Sequence, residues 1–352
     1  SAPRYFLGKP EIKIRIGEKL DWFDVQAIIS FGSFQIPFLK IRQLILQKKK
    51  EFHLPDGSIA IIPDNWFHDY QDLFYFSETR PGEDGVFLRR QHFQLIQEWE
   101  NQELVKTNLR TKTLNDLKLE TKEFPIPKNF KGTLRPYQLE GYRWMRTRQA
   151  AGLGACLADD MGLGKTIQTL AQLQCLAMEY RQEKELNQKV GMTSSGQANS
   201  AAESAPIASE GKPLPPEPTH NGPILIIAPK SLLYNWMSES AKFCPELKSA
   251  LYLGLSRQKL IPSFGKLDLV VMSYGTMRND VELLRNYRFN CIVLDESQAI
   301  KNPSSQTSRA LLKLQSRSRV ALTGTPIENT LLDIWSQMNF LNPGLLGSYT
   351  YF

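Results

Sequence analysis

The chain has 352 residues, 41% hydrophobic and 22% charged, with a formal net charge of +7. This composition excludes a wholly disordered or collagen-like chain, and no apolar run reaches the roughly 18–20 residues that cross a bilayer. The modest positive excess permits a nucleic-acid partner without requiring one.

Cys156, Cys175, Cys244 and Cys291 are scattered, with no CxxC pair and no metal-ligand spacing. That argues against a disulfide framework or a zinc site and for a reducing compartment. The first residues lack the apolar core of a secretory signal. Together these give the expectation of a cytoplasmic protein with no membrane partner.

The first 124 residues read as a small α+β domain. EIKIRI (Glu11 to Ile16) alternates as a strand, and FDVQAIISF with FQIPF flank a Gly-Ser turn as a hairpin. IRQLILQKKK (Ile41 to Lys50) has helical spacing and ends in lysines, which suit a helix C-terminus. A second hairpin is expected around Asp56-Gly57. NWFHDYQDLFYF (Asn65 to Phe76) reads as one helix capped by Asn65, and more helix is expected over Phe93 to Leu104. The aromatics Trp66, Phe67, Tyr70, Phe74, Tyr75 and Phe76 suit either a base-stacking surface or a packed helix face, and the packed face is the expectation. Lys48 to Lys50 read as a solvated helix end rather than a DNA contact.

After the proline-containing joint FPIPKNF (Phe124 to Phe130), residues 125–352 alternate long helices with short apolar strands: GACLAD, PILIIAP, LDLVVMS, NCIVLDE and RVALTGT. Such strands indicate an α/β fold with a mostly parallel sheet and crossover helices. Residues 181–221 are rich in Ser, Ala, Gly, Pro and Gln and nearly free of large apolar residues. They are expected to form a flexible insertion.

The sharpest motif is ADDMGLGKTIQTLAQLQ (Ala158 to Gln174), a Gly-rich turn between an apolar strand and an amphipathic helix. Glycines let backbone N–H groups wrap phosphate oxygens, and the helix N-terminus adds partial positive charge. The candidate nucleotide loop is Asp160, Met161, Gly162, Leu163, Gly164, Lys165 and Thr166. Lys165 is placed to reach the β- and γ-phosphates, and the Thr166 hydroxyl to reach magnesium. One departure stands out: the first glycine of a GxxxxGK loop would fall at Asp159.

NCIVLDES (Asn290 to Ser297) is an apolar strand ending in two acids, a placement that serves a nucleotide site in an α/β sheet. Asp295 is suited to hold Mg2+, and Glu296 to orient and deprotonate the attacking water. Lysine, magnesium and one base suffice for phosphoryl transfer to water. The competing reading is a solvated acidic pair. ALTGTPIEN (Ala321 to Asn329) is a strand-turn segment able to relay the state of the γ-phosphate, with an ordinary strand-turn-helix junction as the competing reading.

DDMGLGKTIQTLA, IIAPKSLLYNW, MSYGTMRND, VLDESQAIKNP and LTGTPIEN, in this order, resemble the Swi/Snf-like (Snf-two-type) DNA-dependent ATPases of helicase superfamily two, bacterial type. TLRPYQLEGYRWM resembles the segment before their P-loop, and the match runs from about Leu134 to Leu345. An acidic residue near the missing glycine is usual in that family.

The resemblance implies a first RecA-like lobe that binds ATP and Mg2+. Gln138 would read the adenine edge, and Gln298, with Thr323, Gly324 and Thr325, would couple the site to the rest of the motor. Pro229, Lys230, Ser231, Ser273 and Tyr274 would approach the DNA backbone, giving salt-dependent contacts poor in sequence information. Lys230 replaces a residue that is often Thr in relatives. The front segment resembles, on texture alone, the accessory region of bacterial Swi/Snf-like proteins.

The implied activity is ATP-driven translocation on double-stranded DNA, remodelling or displacing DNA-bound proteins such as RNA polymerase. The resemblance also implies a second RecA-like lobe carrying the arginine fingers, and hence a fragment that hydrolyses ATP poorly by itself. A strand-separating helicase and a non-catalytic nucleotide-binding scaffold are the alternatives. A P-loop kinase leaves the DES and TGTP motifs unexplained.

Overall fold

In EIKIRI and FDVQAIISF every second residue is apolar, and that alternation builds the first sheet. The computed structural model describes residues 4–18, 22–47, 49–79, 86–89, 92, 95–96, 99, 106–107, 123–193, 220–325 and 331–347. The chain separates into two units, Ser1–Lys118 with Gly344–Phe352, and Leu119–Pro343.

In the first unit, β1 (Glu11–Glu18) pairs antiparallel with β2 (Trp22–Phe31), which turns at Gly32 (φ 61°) into β3 (Phe34–Pro37). Ile14, Ile16, Phe23, Val25, Ala27, Ile29 and Phe31 are buried on one face, while Lys13, Arg15 and Gln26 on the other are exposed. This is the two-residue period of a half-buried sheet. The hairpin of β4 (Glu51–His53) and β5 (Ile59–Ile61) turns at Asp56-Gly57 as expected. There the Asp56 carboxylate accepts from Ser58 N–H (3.0 Å), and Gly57 takes a φ of 82°. The sheet is completed by β6 (Glu78–Thr79), β7 (Val86–Arg89) and β8 (Lys106–Thr107), in the order β6-β7-β2-β1-β8 with β3 on β2.

Three local expectations are corrected. The helix expected over Ile41–Lys50 is a 3-10 turn, Phe38–Ile41, followed by a helix over Arg42–Leu46 alone. The backbone N–H of Lys49 returns to Leu44 O (2.8 Å) and closes it before the lysines. Lys50 instead pairs with Asp64 (2.7 Å). Asn65 to Phe76 is two helices, Trp66–Asp69 and Gln71–Phe76, broken at Tyr70 (φ −116°, ψ 1°). The Asn65 side chain makes no cap; its amide donates to the Asp69 carboxylate (2.9 Å). Trp66, Tyr70 and Leu73 lie in the core, with Phe67 and Phe76 packed against it, so these aromatics form a packed face. Of the helix expected over Phe93 to Leu104, only Leu95, Ile96 and Trp99 are described, and they are helical.

In the second unit the five apolar runs and two further short strands form a seven-stranded sheet, parallel at every pairing. Its strands are β9 (Ala155–Leu157), β10 (His220–Gly222), β11 (Ile224–Ala228), β12 (Ser249–Leu251), β13 (Leu269–Ser273), β14 (Tyr287–Asp295) and β15 (Gln315–Leu322). The order is β12-β13-β11-β14-β15-β9, with β10 on β14. Alternate residues sort into two cores. Ile224, Ile226, Leu269, Val271, Cys291, Val293, Val320 and Leu322 face one. Leu225, Ile227, Val270, Met272, Ile292, Leu294 and Ala321 face the other. Strands covered on both faces must be apolar throughout, which is why these runs lack a polar alternation.

The helices Pro136–Ala150, Lys165–Thr193 and Leu233–Phe243 supply residues to the first core; Tyr274–Asn279, Gln306–Leu311 and Leu331–Leu341 supply the second. The insertion expected at 181–221 is narrower than composition suggested. Helix continues through Thr193, and β10 begins at His220. Gln, Glu, Lys and Leu after Tyr180 are good helix formers, and no Gly or Pro interrupts them before Gly191. Residues 194–219 lie outside the described residues.

Candidate nucleotide site

Register brings the motif-bearing strand ends together. Leu157 pairs with Leu322, and Leu322 with Asp295. On the other side of β14, Leu294 is level with Ile227, one residue before the end of β11, and Ala228 pairs with Ser273. The P-loop, the Asp-Glu pair, the third motif and both segments expected near DNA therefore leave the C-terminal edge of one sheet. Ligands of open α/β sheets bind at that edge.

The loop between Leu157 and the helix beginning at Lys165 turns on Gly162 (φ 84°) and Gly164 (φ 78°). The Lys165 ammonium folds over it, donating to Asp159 O (2.7 Å) and Asp160 O (3.1 Å). Asp159 occupies the place of the missing first glycine without a positive φ. Its carboxylate accepts from the Gln168 amide (3.0 Å), one turn into the helix, so the loop needs no glycine there. Met161 is largely exposed at the loop tip.

Gln138 lies beneath this loop. Its Oε1 accepts from Arg135 N–H (2.9 Å), and its Nε2 donates to Leu163 O (3.1 Å), which also accepts from the Tyr137 hydroxyl (3.2 Å). Both ends of the amide are engaged by the protein here. A Cβ on Gly164 would lie 2.4 Å from Gln138 Nε2. Gly164→Ala is therefore expected to strain the loop through its positive φ, to push the Gln138 amide off Leu163 O, and to weaken nucleotide binding about tenfold. Titration with a fluorescent ATP analogue measures it, and wild-type affinity would contradict the placement.

Asp295 is buried at the end of β14. Its Oδ2 accepts from the Trp236 indole N–H (2.8 Å), and its Oδ1 from the Glu296 N–H (3.0 Å). Burial raises its pKa from the ordinary aspartate value, with the Glu296 charge adding to the rise. The Trp236 and Glu296 hydrogen bonds and the Lys165 charge oppose it. Glu296 takes the left-handed conformation (φ 51°, ψ 57°), the one non-glycine residue with positive φ among those described. Such a turn costs roughly 1–2 kcal/mol and brings the Glu296 carboxylate to Gln298.

There Gln298 Nε2 donates to Glu296 Oε2 (2.7 Å), the Thr323 hydroxyl donates to Gln298 Oε1 (3.1 Å), and Thr325 N–H donates to the Thr323 hydroxyl (3.0 Å). Gly324 packs against the P-loop: a Cβ there would lie 3.3 Å from Met161 Cγ and 4.0 Å from Lys165 Nζ. All three motifs are thus brought together. Pro326 to Thr330, the remainder of the third motif, lie outside the described residues.

Among the described residues no group of three or more His, Cys, Asp or Glu is gathered to hold a metal. The Asp295 carboxylate, with one donor on each oxygen and lone pairs to spare, and the Thr166 hydroxyl are hard oxygen ligands. A pair of protein oxygens completed by water and phosphate is how magnesium is usually held, so the residues fit that ion.

The candidate DNA residues divide. Lys230 and Ser231 are exposed on the turn after β11, with Pro229 half-buried. Ser273 is buried, and its hydroxyl accepts from Thr276 N–H (3.1 Å) as a helix cap. Tyr274 turns its hydroxyl inward to Asp295 O (2.8 Å). Burial, then the Asp295 and Glu296 charges, push the Tyr274 phenol well above its usual pKa, so it remains a donor.

Sequence reasoning missed Trp236 and Gln168 as partners of the two aspartates. Trp236 ends the IIAPKSLLYNW segment of the resemblance, but nothing in that segment points to Asp295.

Fold and site define a RecA-like P-loop ATPase lobe. The SNF2-related domain family matches residues 137–352, and the chain belongs to that family. It is an SNF2-family ATPase domain, and ATP is the nucleotide such a domain uses.

The chain is 39% identical over 233 residues to YwqA of Bacillus subtilis, whose name describes an ATP-dependent helicase/translocase, covering 65% of this chain and 21% of that protein. It is 35% identical over 233 residues to the TATA-binding protein-associated factor MOT1 of Saccharomyces cerevisiae, covering 66% of this chain and 11% of that protein. The solved SWI2/SNF2 ATPase core of Sulfolobus solfataricus in complex with dsDNA superposes with a TM-score of 0.50 at 38% identity, covering 65% of this chain and 40% of that one. The chain thus spans about a fifth or less of these curated relatives.

Proposed function

We propose that this chain is the ATP-binding lobe of a motor that hydrolyses ATP on double-stranded DNA and moves along it without separating the strands, displacing or remodelling DNA-bound proteins. The observation that carries the reading is the in-register row Leu157, Leu322 and Asp295, which sets the Lys165 loop, the Asp-Glu pair and the third motif around one point. Lys165 would hold the β- and γ-phosphates, with Gly162 and Gly164 exposing backbone donors. Thr166 and Asp295 would hold magnesium, which would neutralise phosphate charge. Glu296 would take the proton of the attacking water, and Gln298 positions it. For Gln138 to read adenine, its amide must first leave Leu163 O.

A second RecA-like lobe supplying the arginines that stabilise transferring charge belongs to the same proposal, as does poor turnover by this lobe alone. The 40% coverage of the SWI2/SNF2 core supports it. DNA contact is supported by exposed Lys230 and Ser231 on the site's own sheet edge and by the likeness to a core solved with dsDNA. Since the Ser273 hydroxyl caps a helix, contact in that segment would come from the backbone. A reducing, cytoplasmic, nucleoid-associated setting completes the proposal, in keeping with four free cysteines.

The test is ATP hydrolysis by the two-lobed protein with and without duplex DNA, with triplex displacement measured beside forked-duplex unwinding. Stimulation and triplex displacement are expected. Fork unwinding without triplex displacement would favour a strand-separating helicase, and no hydrolysis would favour a scaffold. Lys230→Ala is expected to weaken duplex binding severalfold, equally for all sequences, and to lower the log–log salt slope by about 1. An unchanged slope places the phosphate contact elsewhere.

A further inference from the structure

Two segments that leave the C-terminal ends of β11 and β13 terminate on the same residue. Lys230 and Ser231 stand exposed at the end of β11, and the chain runs without a break through a 3-10 turn into the helix Leu233–Phe243. Leu232 N–H bonds Pro229 O (2.9 Å), tying the turn to the helix start. Trp236, one turn into that helix, is fully buried and spends its single donor on Asp295 Oδ2 at 2.8 Å. A carboxylate held by a buried indole on one oxygen and by a backbone N–H on the other has its χ angles fixed.

The second segment begins where β13 ends. Ser273 caps the helix Tyr274–Asn279, and Tyr274, its first residue, donates its hydroxyl to Asp295 O at 2.8 Å. That carbonyl belongs to the peptide joining Asp295 to Glu296, and Glu296 is the left-handed residue. The phenol therefore braces the peptide plane on which the strained turn depends, and with it the direction of the Glu296 carboxylate. One segment holds the side chain of Asp295, the other its backbone.

We propose that Trp236 and Tyr274 are positioning residues through which the strand-end segments after β11 and β13 set the geometry of Asp295 and Glu296, so that duplex DNA on those segments switches the site toward hydrolysis. This rests on the DNA-stimulated ATPase reading. A small shift of the Lys230 turn would carry the helix behind it and swing the indole. A shift at Ser273 would release or tighten the Tyr274 hydroxyl. Neither residue needs to touch DNA or nucleotide.

The experiment uses Trp236→Phe and Tyr274→Phe in the two-lobed protein, each removing a hydrogen bond while keeping an aromatic ring, with a urea midpoint to report folding. Turnover is measured with and without duplex DNA across a magnesium titration, and DNA affinity separately. For Trp236→Phe the expected result is a DNA-stimulated kcat at least about tenfold lower and a severalfold higher half-saturating magnesium concentration. DNA affinity and KM for ATP should stay within about twofold. For Tyr274→Phe the expected result is a similar loss of stimulated kcat without a change in the magnesium requirement, since the carboxylate retains both donors.

If wild type hydrolyses ATP but ignores DNA, the motor reading fails and takes the coupling with it. If wild type is stimulated and both variants are stimulated equally well, the coupling alone is overturned. It is likewise overturned if basal and stimulated rates fall in the same proportion in both variants, or if Tyr274→Phe loses DNA affinity rather than kcat. Should Trp236→Phe fail to fold, Tyr274→Phe decides by the same criteria.

Discussion

Glu296→Gln is expected to lower DNA-stimulated ATP turnover by at least about 100-fold while leaving MgATP binding within about threefold. The Glu296 carboxylate lies beyond the end of β14, in a left-handed turn, and accepts from Gln298 at 2.7 Å. Glutamine has the same shape, and its amide oxygen still accepts from Gln298, so the turn and the Thr323 relay stand. Only the basic oxygen is lost. A positioned general base is worth roughly 10²–10⁴ in rate, and the groups proposed to bind MgATP, on Lys165, Thr166 and Asp295, are untouched. Phosphate release measures the rate, and calorimetry the affinity. Normal turnover would remove Glu296 from the role of base.

Lys165→Ala is expected to act earlier, weakening MgATP at least about 100-fold and taking turnover below detection. The ammonium is the cation that the loop gathers over its own carbonyls, Asp159 O and Asp160 O. A triphosphate would exchange those neutral acceptors for charged oxygens, adding ion–ion attraction to hydrogen bonds that the ammonium already makes charge-assisted. Alanine keeps the helix N-terminus and both loop glycines, so any residual affinity measures the backbone cradle alone. A fluorescent-nucleotide titration checks the loss. Wild-type affinity would mean that the phosphates sit elsewhere.

The parts of this structure legible in the sequence are those fixed by short-range pattern. PILIIAP, LDLVVMS and NCIVLDE are apolar without alternation because β11, β13 and β14 are covered on both faces, and that signature needs no tertiary information. The GLGKT turn is legible because positive φ demands glycine at two positions, and the Asp-Glu pair because it ends a strand. At Asp159 a glycine was expected by the general pattern, yet the Gln168 amide, nine residues on, supports aspartate.

What the sequence concealed is set by contacts distant along the chain. β12 has three residues, half-buried against β13, too few to show a period. β10 lies in polar, turn-like sequence and exists because β14 extends far enough to pair with it. Composition placed the end of the helix after Tyr180 too early, because a polar stretch of helix resembles a linker in residue counts. The break at Tyr70 lets Trp66, Tyr70 and Leu73 all reach one core. Ser273 and Tyr274 were marked by their neighbours in the motif; the direction their hydroxyls take is decided by Thr276 and by Asp295. Trp236 reads as an ordinary buried aromatic until β14 is set beside β11.

Calorimetric titration of ATP into this polypeptide, with and without magnesium, tests the central claim most directly. One ATP bound per chain, tighter with magnesium and lost in Lys165→Ala, is the predicted result. Absence of binding with magnesium present, or binding indifferent both to magnesium and to Lys165, would contradict it.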